Sequence, residues 1–582
     1  MDISNQSATM QENERTVKPF KNLEELYKRI SSLASWQGVV NLRKSTDYVY
    51  SADETQIENK KKISKTSVPK TIVCHDLMGG YLEDRFIDGS NNHNSYHFYH
   101  WHIIDTFIYF SHHFVTIPPF GWINAAHEHG VKILGTLITE NTEGKENWDE
   151  ILKTRDNIVK FADALVFLAQ FYKFDGWLLN VENEIHQDDV GKLTFFVRYL
   201  TDTIHKRVEN SEIIWYDSVT ESGKLSWQNE LNEKNNCFFE CCDGIFLNYT
   251  WSDSGLIKSA IKAEKQNRLH DVYVGLDVWG RGCPGGGGFN SAHALKRIRR
   301  QGLSVAIFAP AWTFEYFGPQ TFPRIENIFW AQLKEFLYVH VPVFRNERFI
   351  TTLCRGAGDK YFEYGMQIRF EDPKTHTVVE RNNSFYNLAM QKHQTISACS
   401  HLKFISSHMP LPLKMNEKSD PIPQEWRFET AHEVIKTLGN KLTIEDKPES
   451  YAGLNCQQFS YDVSYEGGGC LKLMTKNTKS FYRLFYVHIE LSRDIQVRVY
   501  YRNSDMTNHT HDSEKRLVLL LGNESGVTSF LPRQTLEHGL GWHLSIFQTN
   551  MKIVEEIGLA VTHTGDCYIG KIVVEEMRRP MH

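Results

Sequence analysis

The sequence predicts an α/β chain: a (β/α)8 TIM-type barrel followed by a C-terminal β-sandwich region. Three observations lead there. Between residues 71 and 344, eight short apolar runs that close on polar side chains alternate with stretches of helical spacing. Such alternation over about 250 residues is the size of one closed barrel. Beyond residue 345 helical spacing gives way to β-rich runs broken by turn residues, the pattern of an antiparallel sandwich.

The eight runs are 71–76, 104–112, 131–140, 174–182, 213–217, 244–249, 272–279 and 303–312. Helical spacing fills 121–130, 148–172, 192–208, 256–266 and 292–302, with a closing helix at 328–339; the crossovers after the first and fifth runs are irregular. A doubly wound open sheet is the alternative. It usually carries a Gly-rich phosphate turn after its first strand, and Met78-Gly79-Gly80-Tyr81 is not one. Residues 1–70 read as a polar, partly disordered lead-in with a helix at 23–33 and a solvated Lys60–Lys62 cluster. Residues 345–425 read as a β-rich connecting segment punctuated by Pro410, Pro412, Pro421 and Pro423, and 426–582 as a jelly-roll or carbohydrate-binding-like sandwich.

Composition narrows the function classes. The 582 residues carry a formal charge of -6, so there is no basic footprint and no nucleic-acid partner is expected. No apolar run reaches the roughly 18–20 residues of a membrane span. The polar N-terminus has no apolar secretory region, so a cytosolic location is expected. Ten scattered cysteines read as free thiols of a reducing compartment. No cofactor or metal is expected: His93, His97, His100 and His102, interleaved with aromatics, read as a loop and helix surface, and Cys237, Cys241 and Cys242 lack a partner pair at zinc spacing. Gly285 to Gly288 read as a flexible loop after the seventh strand, with no Lys-Ser/Thr to make a phosphate cradle.

In a barrel the strand C-termini converge on one mouth. Polar ends there are His75 and Asp76, His112 and His113, Glu140, Asn180 and Glu182, Tyr216 and Asp217, Asn248 and Trp251, Asp277 with Trp279 and Arg281, and Trp312 with Glu315. The fourth run, Phe174-Asp175-Gly176-Trp177-Leu178-Leu179-Asn180-Val181-Glu182, concentrates the chemistry. As a strand it places Leu178, Asn180 and Glu182 on one face.

Three mechanisms suit a carboxylate at 182. A two-carboxylate retaining glycosidase would need a nucleophile from another strand, which Glu140, Asp217, Asp277 or Glu315 would supply. A metal hydrolase would use carboxylates and histidines as ligands. In the third, a 2-acetamido sugar attacks its own anomeric carbon; Asn180 orients the acetamide and Glu182 protonates the leaving oxygen, then activates water. Neutral Asn180 cannot raise the pKa of Glu182 by repulsion, so burial has to keep the acid protonated. Tyr216 is placed to hydrogen-bond the acid or the acetamide.

Residues 175–182 resemble the Asp-Gly-x-Asp-x-Asp-x-Glu strand of family 18 chitinases, but Leu178 and Asn180 stand where two aspartates would. The chain instead resembles glycoside hydrolase family 85, the endo-β-N-acetylglucosaminidases, which carry Asn-x-Glu here. The resemblance extends to residues 74–85, 109–113, 134–140, 215–218 and 285–290. It implies cleavage of the GlcNAc-β-1,4-GlcNAc core of N-linked glycans on peptide or protein, retention of configuration, and interception of the intermediate by sugar as well as by water. By resemblance Glu182 is the acid/base, Asn180 orients the acetamide and Tyr216 assists. His75, Glu140, Asn248, Trp251, Asp277, Trp279, Arg281 and Trp312, with Trp227 from the loop after the fifth strand, are the expected glycan-binding residues. A catalytically silent glycan-binding lectin on the same barrel is the rival of a different class.

Overall fold

The computed structural model describes residues 15–33, 40–51, 62–371, 378–396, 456–475, 482–504 and 517–577. The four punctuating prolines and the expected sandwich boundary at 426 lie outside these residues.

Eight parallel strands form the barrel: β1 Thr71–His75, β2 Thr106–Tyr109, β3 Lys132–Glu140, β4 Gly176–Glu182, β5 Glu212–Tyr216, β6 Gly244–Leu247, β7 Val272–Asp277 and β8 Ser304–Phe308. Each pairs with its successor, and β8 pairs β1 to close the ring. The runs are apolar on both faces because one face packs the barrel interior and the other the helices. The interior holds Ile72, Cys74, Ile108, Leu134, Ile138, Leu178, Ile214, Phe246, Tyr273 and Ala306. Their neighbours along each strand, such as Val73, Phe107, Ile133, Leu179, Ile213 and Ile245, join the outer core beneath the helices.

The helices are α1 Phe120–Glu128, α2 Asn141–Ile151, α3 Arg155–Tyr172, α4 Val190–Arg207, α5 Glu233–Phe239, α6 Asp253–Glu264, α7 Ser291–Arg300 and α8 Phe322–Leu333. Two differences from the sequence expectation have local causes. The expected helix at 148–172 is two helices, because the Thr154 side chain accepts the Asn157 backbone N–H and caps a fresh start at α3. α5 fills the irregular fifth crossover, its first turn closed by reciprocal bonds between Asn232 and Asn235.

Parts of the polar lead-in are ordered. Helix Leu23–Ser32 is capped by Asn22 and buries Leu26, and Tyr48–Ser51 pairs with both Ile63–Ser64 and Tyr338–His340. Lys62, expected in a solvated tail, instead pairs with Glu555 and Glu524 of the C-terminal region. That region is two facing sheets around a second core that includes Leu473, Leu484, Val497, Leu519, Ile557 and Ile572. Val343–Arg345 adds a parallel edge to Tyr482–Glu490, and Phe349–Thr351 pairs with Gly565–Glu576, so the chain enters the sandwich directly after the barrel. Among the described residues no helix is long and apolar enough to cross a membrane.

His97 and His100 depart from the expected surface. They are buried, with His100 stacked on Trp330 and His97 edge-on to Phe322. Among the described residues no three His, Cys, Asp or Glu side chains are grouped to hold a metal ion.

Candidate active site

β4 starts at Gly176, where φ is +146° and an added Cβ would lie 1.9 Å from the Glu212 carbonyl oxygen. Only glycine lets β4 lie this close to β5. From there the two-residue alternation carries Leu178, Asn180 and Glu182 up the interior face to the mouth. The Asn180 amide donates to one Glu182 oxygen at 3.1 Å, and the Trp227 indole N–H donates to the other at 3.1 Å.

Glu182 is more easily protonated than an ordinary carboxyl. Burial is the main cause; Glu140 raises the pKa further, while the two donors and His112 oppose it. Glu140 is the register partner of Glu182 on β3 and faces His112 at 3.3 Å, and that contact raises the His112 pKa. The neighbouring strand-end carboxylate that shares this register is thus already engaged by an imidazole.

Tyr216 closes the same side of the mouth. Its hydroxyl donates to the Asn248 side-chain oxygen at 2.8 Å, and the Asn248 amide donates to Asn229 at 2.9 Å. No bond joins Tyr216 to Glu182 directly; the tyrosine is buried and its charged form is disfavoured by Glu182 nearby. Asn248 is therefore its structural partner, half-buried at the end of β6.

Across the mouth, Trp279 is 37% exposed and Arg281 extends over the Phe308 ring. The Arg281 guanidinium and backbone N–H, with the Trp279 backbone N–H, saturate the Asp277 carboxylate. Asp277, expected to meet sugar, is fully buried and acts on the mouth only by holding Arg281 and the turn.

Three other expected contacts are also corrected. His75 faces the outer core, stacked on Tyr96 and close to Trp122, and burial lowers its pKa to about 3. Trp251 is buried and donates its indole N–H to the Gly275 carbonyl at 2.8 Å. Trp312 is buried behind the glycine loop against Phe289, Phe317 and Tyr316. Trp227, the loop residue, is the tryptophan that reaches the acid, and it remains 42% exposed.

Strand parity was the signal for these assignments. In β1 the interior residues are Ile72 and Cys74, which sends His75 outward and brings Asp76 to the mouth. Asp76, His112 and Glu315 thus join the site without having been selected as binding residues. Glu315, on the short helix Trp312–Glu315, is pushed up to about 7 by burial and by the nearby Asp76 charge. Asp76 is raised as well, burial again leading.

Comparison with known proteins agrees with this architecture. Residues 81–361 match glycosyl hydrolase family 85. The chain is similar to cytosolic endo-beta-N-acetylglucosaminidases: 41% identical to that of Danio rerio over 365 residues, covering 63% of this chain and 49% of the relative. The Homo sapiens protein is 46% identical over 300 residues (51% and 40%), and cytosolic endo-beta-N-acetylglucosaminidase 2 of Arabidopsis thaliana 44% over 267 residues (46% and 38%). The chain therefore spans about half the length, or less, of these relatives. The glycoside hydrolase domain of Endo-D from Streptococcus pneumoniae R6 shares the fold, with a TM-score of 0.67 at 15% identity over 97% of this chain and 84% of that one.

Proposed function

We propose that this chain, whose residues 81–361 match glycosyl hydrolase family 85, is an endo-β-N-acetylglucosaminidase of the cytosol. It cleaves the GlcNAc-β-1,4-GlcNAc core of N-linked glycans and leaves one GlcNAc on peptide or protein. The observation that carries the reading is the Asn180–Glu182 pair: one buried carboxyl with a raised pKa, bonded to a neutral amide on the same strand face.

The chemistry follows from that pair. Protonated Glu182 delivers its proton to the glycosidic oxygen, so the leaving sugar departs as an alcohol. The acetamide oxygen of the retained sugar closes on the anomeric carbon as that bond breaks, giving an oxazolinium ion. With its amide N–H turned to Glu182, Asn180 offers its carbonyl oxygen to the acetamide N–H, which gains positive character as the ring forms. Glu182, now a carboxylate stabilised by Asn180 and Trp227, accepts a proton from water attacking the same face, and configuration is retained. A sugar hydroxyl replaces water in transglycosylation. Tyr216 is a further polar group of the same mouth, and Trp227, Trp279 and Arg281 offer exposed surfaces to the glycan.

The engaged state of Glu140 favours this route over a two-carboxylate one, since its partner His112 competes for the lone pairs a nucleophile would use. The test is incubation with an oligomannose glycopeptide and mass analysis of the products. Peptide carrying a single GlcNAc is expected, and Glu182→Gln should lower the rate by about 10³-fold. Intact glycopeptide across pH 4 to 8 would support the lectin reading and overturn this one.

A further inference from the structure

Asp217 is the first residue beyond β5, and its side chain is wholly buried. It faces no cation. Its oxygens accept the Asn229 backbone N–H at 2.7 Å, the Gln228 backbone N–H at 3.0 and 3.3 Å, and the Asn235 amide at 3.1 Å. Burial pushes this carboxyl up to about 6 in spite of those donors.

The two backbone donors directly follow Trp227. Residues 218–227 form a narrow hairpin, with Ser226 N–H bonded to the Ser218 carbonyl and Val219 bridged to Leu225. The end of the hairpin is held locally by the Gln228 amide on the Ser226 carbonyl at 2.6 Å and by the Asn229 amide on the Trp227 carbonyl at 3.3 Å. Asp217 ties this end to β5 by clamping the backbone of residues 228 and 229. Asn229, at φ 55°, spreads its side-chain oxygen over the Asn248 amide and over the Thr250 N–H and hydroxyl. One carboxylate thereby sets two arms: Trp227 on Glu182, and Asn229–Asn248 on Tyr216.

We propose that Asp217 is a positioning residue of the active site: its carboxylate latches the 218–229 loop so that the Trp227 indole bonds Glu182 and Asn248 meets Tyr216. This rests on the reading of Glu182 as the acid. The residue type follows from the donor count. All the groups that face Asp217 are donors, which an acceptor-only carboxylate satisfies, whereas an asparagine would turn one N–H against them.

The experiment compares wild type, Asp217→Asn, Trp227→Phe and their double variant in the pH profile of kcat/KM on the glycopeptide. Hydrogen exchange over residues 218–229 is followed in parallel. Because Trp227 stabilises charged Glu182, its loss raises the Glu182 pKa and moves the basic limb to higher pH. Asp217→Asn is expected to lower kcat/KM by about 10- to 100-fold and to move the limb as Trp227→Phe does. The double variant should show no further shift, and amide protection at 228 and 229 should fall. Asn229→Gly, which keeps the backbone conformation and the N–H to Asp217, covers the case in which Asp217→Asn does not fold; it is expected to lower the rate without moving the limb. An unmoved limb in folded Asp217→Asn, additive shifts in the double variant, retained protection at 228 and 229, or a limb shift in Asn229→Gly would overturn the latch. A wild type that leaves the glycopeptide intact overturns the functional reading instead, and the exchange measurement then still decides the latch.

Discussion

Glu182 stands between burial, which holds its proton on, and two N–H donors, which stabilise the charge once the proton has gone. An acid that later becomes a base needs both influences. A carboxylate in place of Asn180 removes one donor and adds a like charge one turn of the pleat away, so both effects raise the Glu182 pKa. Asn180→Asp should therefore shift the basic limb of activity to higher pH while lowering the plateau rate by about 10²-fold; titration of kcat/KM against pH reads both. An unshifted limb would contradict the electrostatic coupling along β4.

At the scale of elements, β4 depends on its first residue. Gly176→Ala forces a Cβ into the Glu212 backbone, and we expect a loss of at least about 3 kcal/mol in chemical unfolding. The helix behind the mouth depends on a buried acid. Glu326 of α8 is bonded to Thr313 of the Trp312–Glu315 helix at 2.5 Å and to Trp330 at 3.0 Å, and burial pushes it up to about 8. The fold holds its protonated form, so its contribution is complete below the ordinary 4.5 and is lost as pH rises through about 8. Glu326→Gln should flatten the decline in stability between pH 5 and 8, measured as the melting temperature in a pH series. All eight strands were legible in the sequence because each apolar run ends in polar residues. The facing of their last side chains was not. A strand end fixes where His75 or Asp277 sits along the barrel axis; whether the side chain meets solvent depends on parity and on partners such as Arg281. The bond from Trp227 to Glu182 was not legible for a related reason: as proposed, it is set by a carboxylate ten residues earlier in the chain, a contact without local pattern.

Over the whole molecule, barrel and sandwich are joined by more than the strand at 343–345. Arg355 lies between the rings of Tyr99, from the barrel, and Phe459, from the sandwich, at 3.8 and 4.0 Å, and it donates to Gln394 and Tyr461. Arg355→Ala should cost about 2–3 kcal/mol and, if the two parts unfold together, lower a single calorimetric transition rather than split it. At the barrel mouth, as proposed, the substrate's acetamide is the nucleophile and Asn180 is required for its attack, the step that a preformed oxazoline bypasses. The most direct measurement supplies folded Asn180→Ala with a preformed glycan oxazoline and a GlcNAc-peptide acceptor. Transfer product is expected by mass while hydrolysis of the intact glycopeptide is lost. No transfer, or unimpaired hydrolysis, would contradict this role of Asn180.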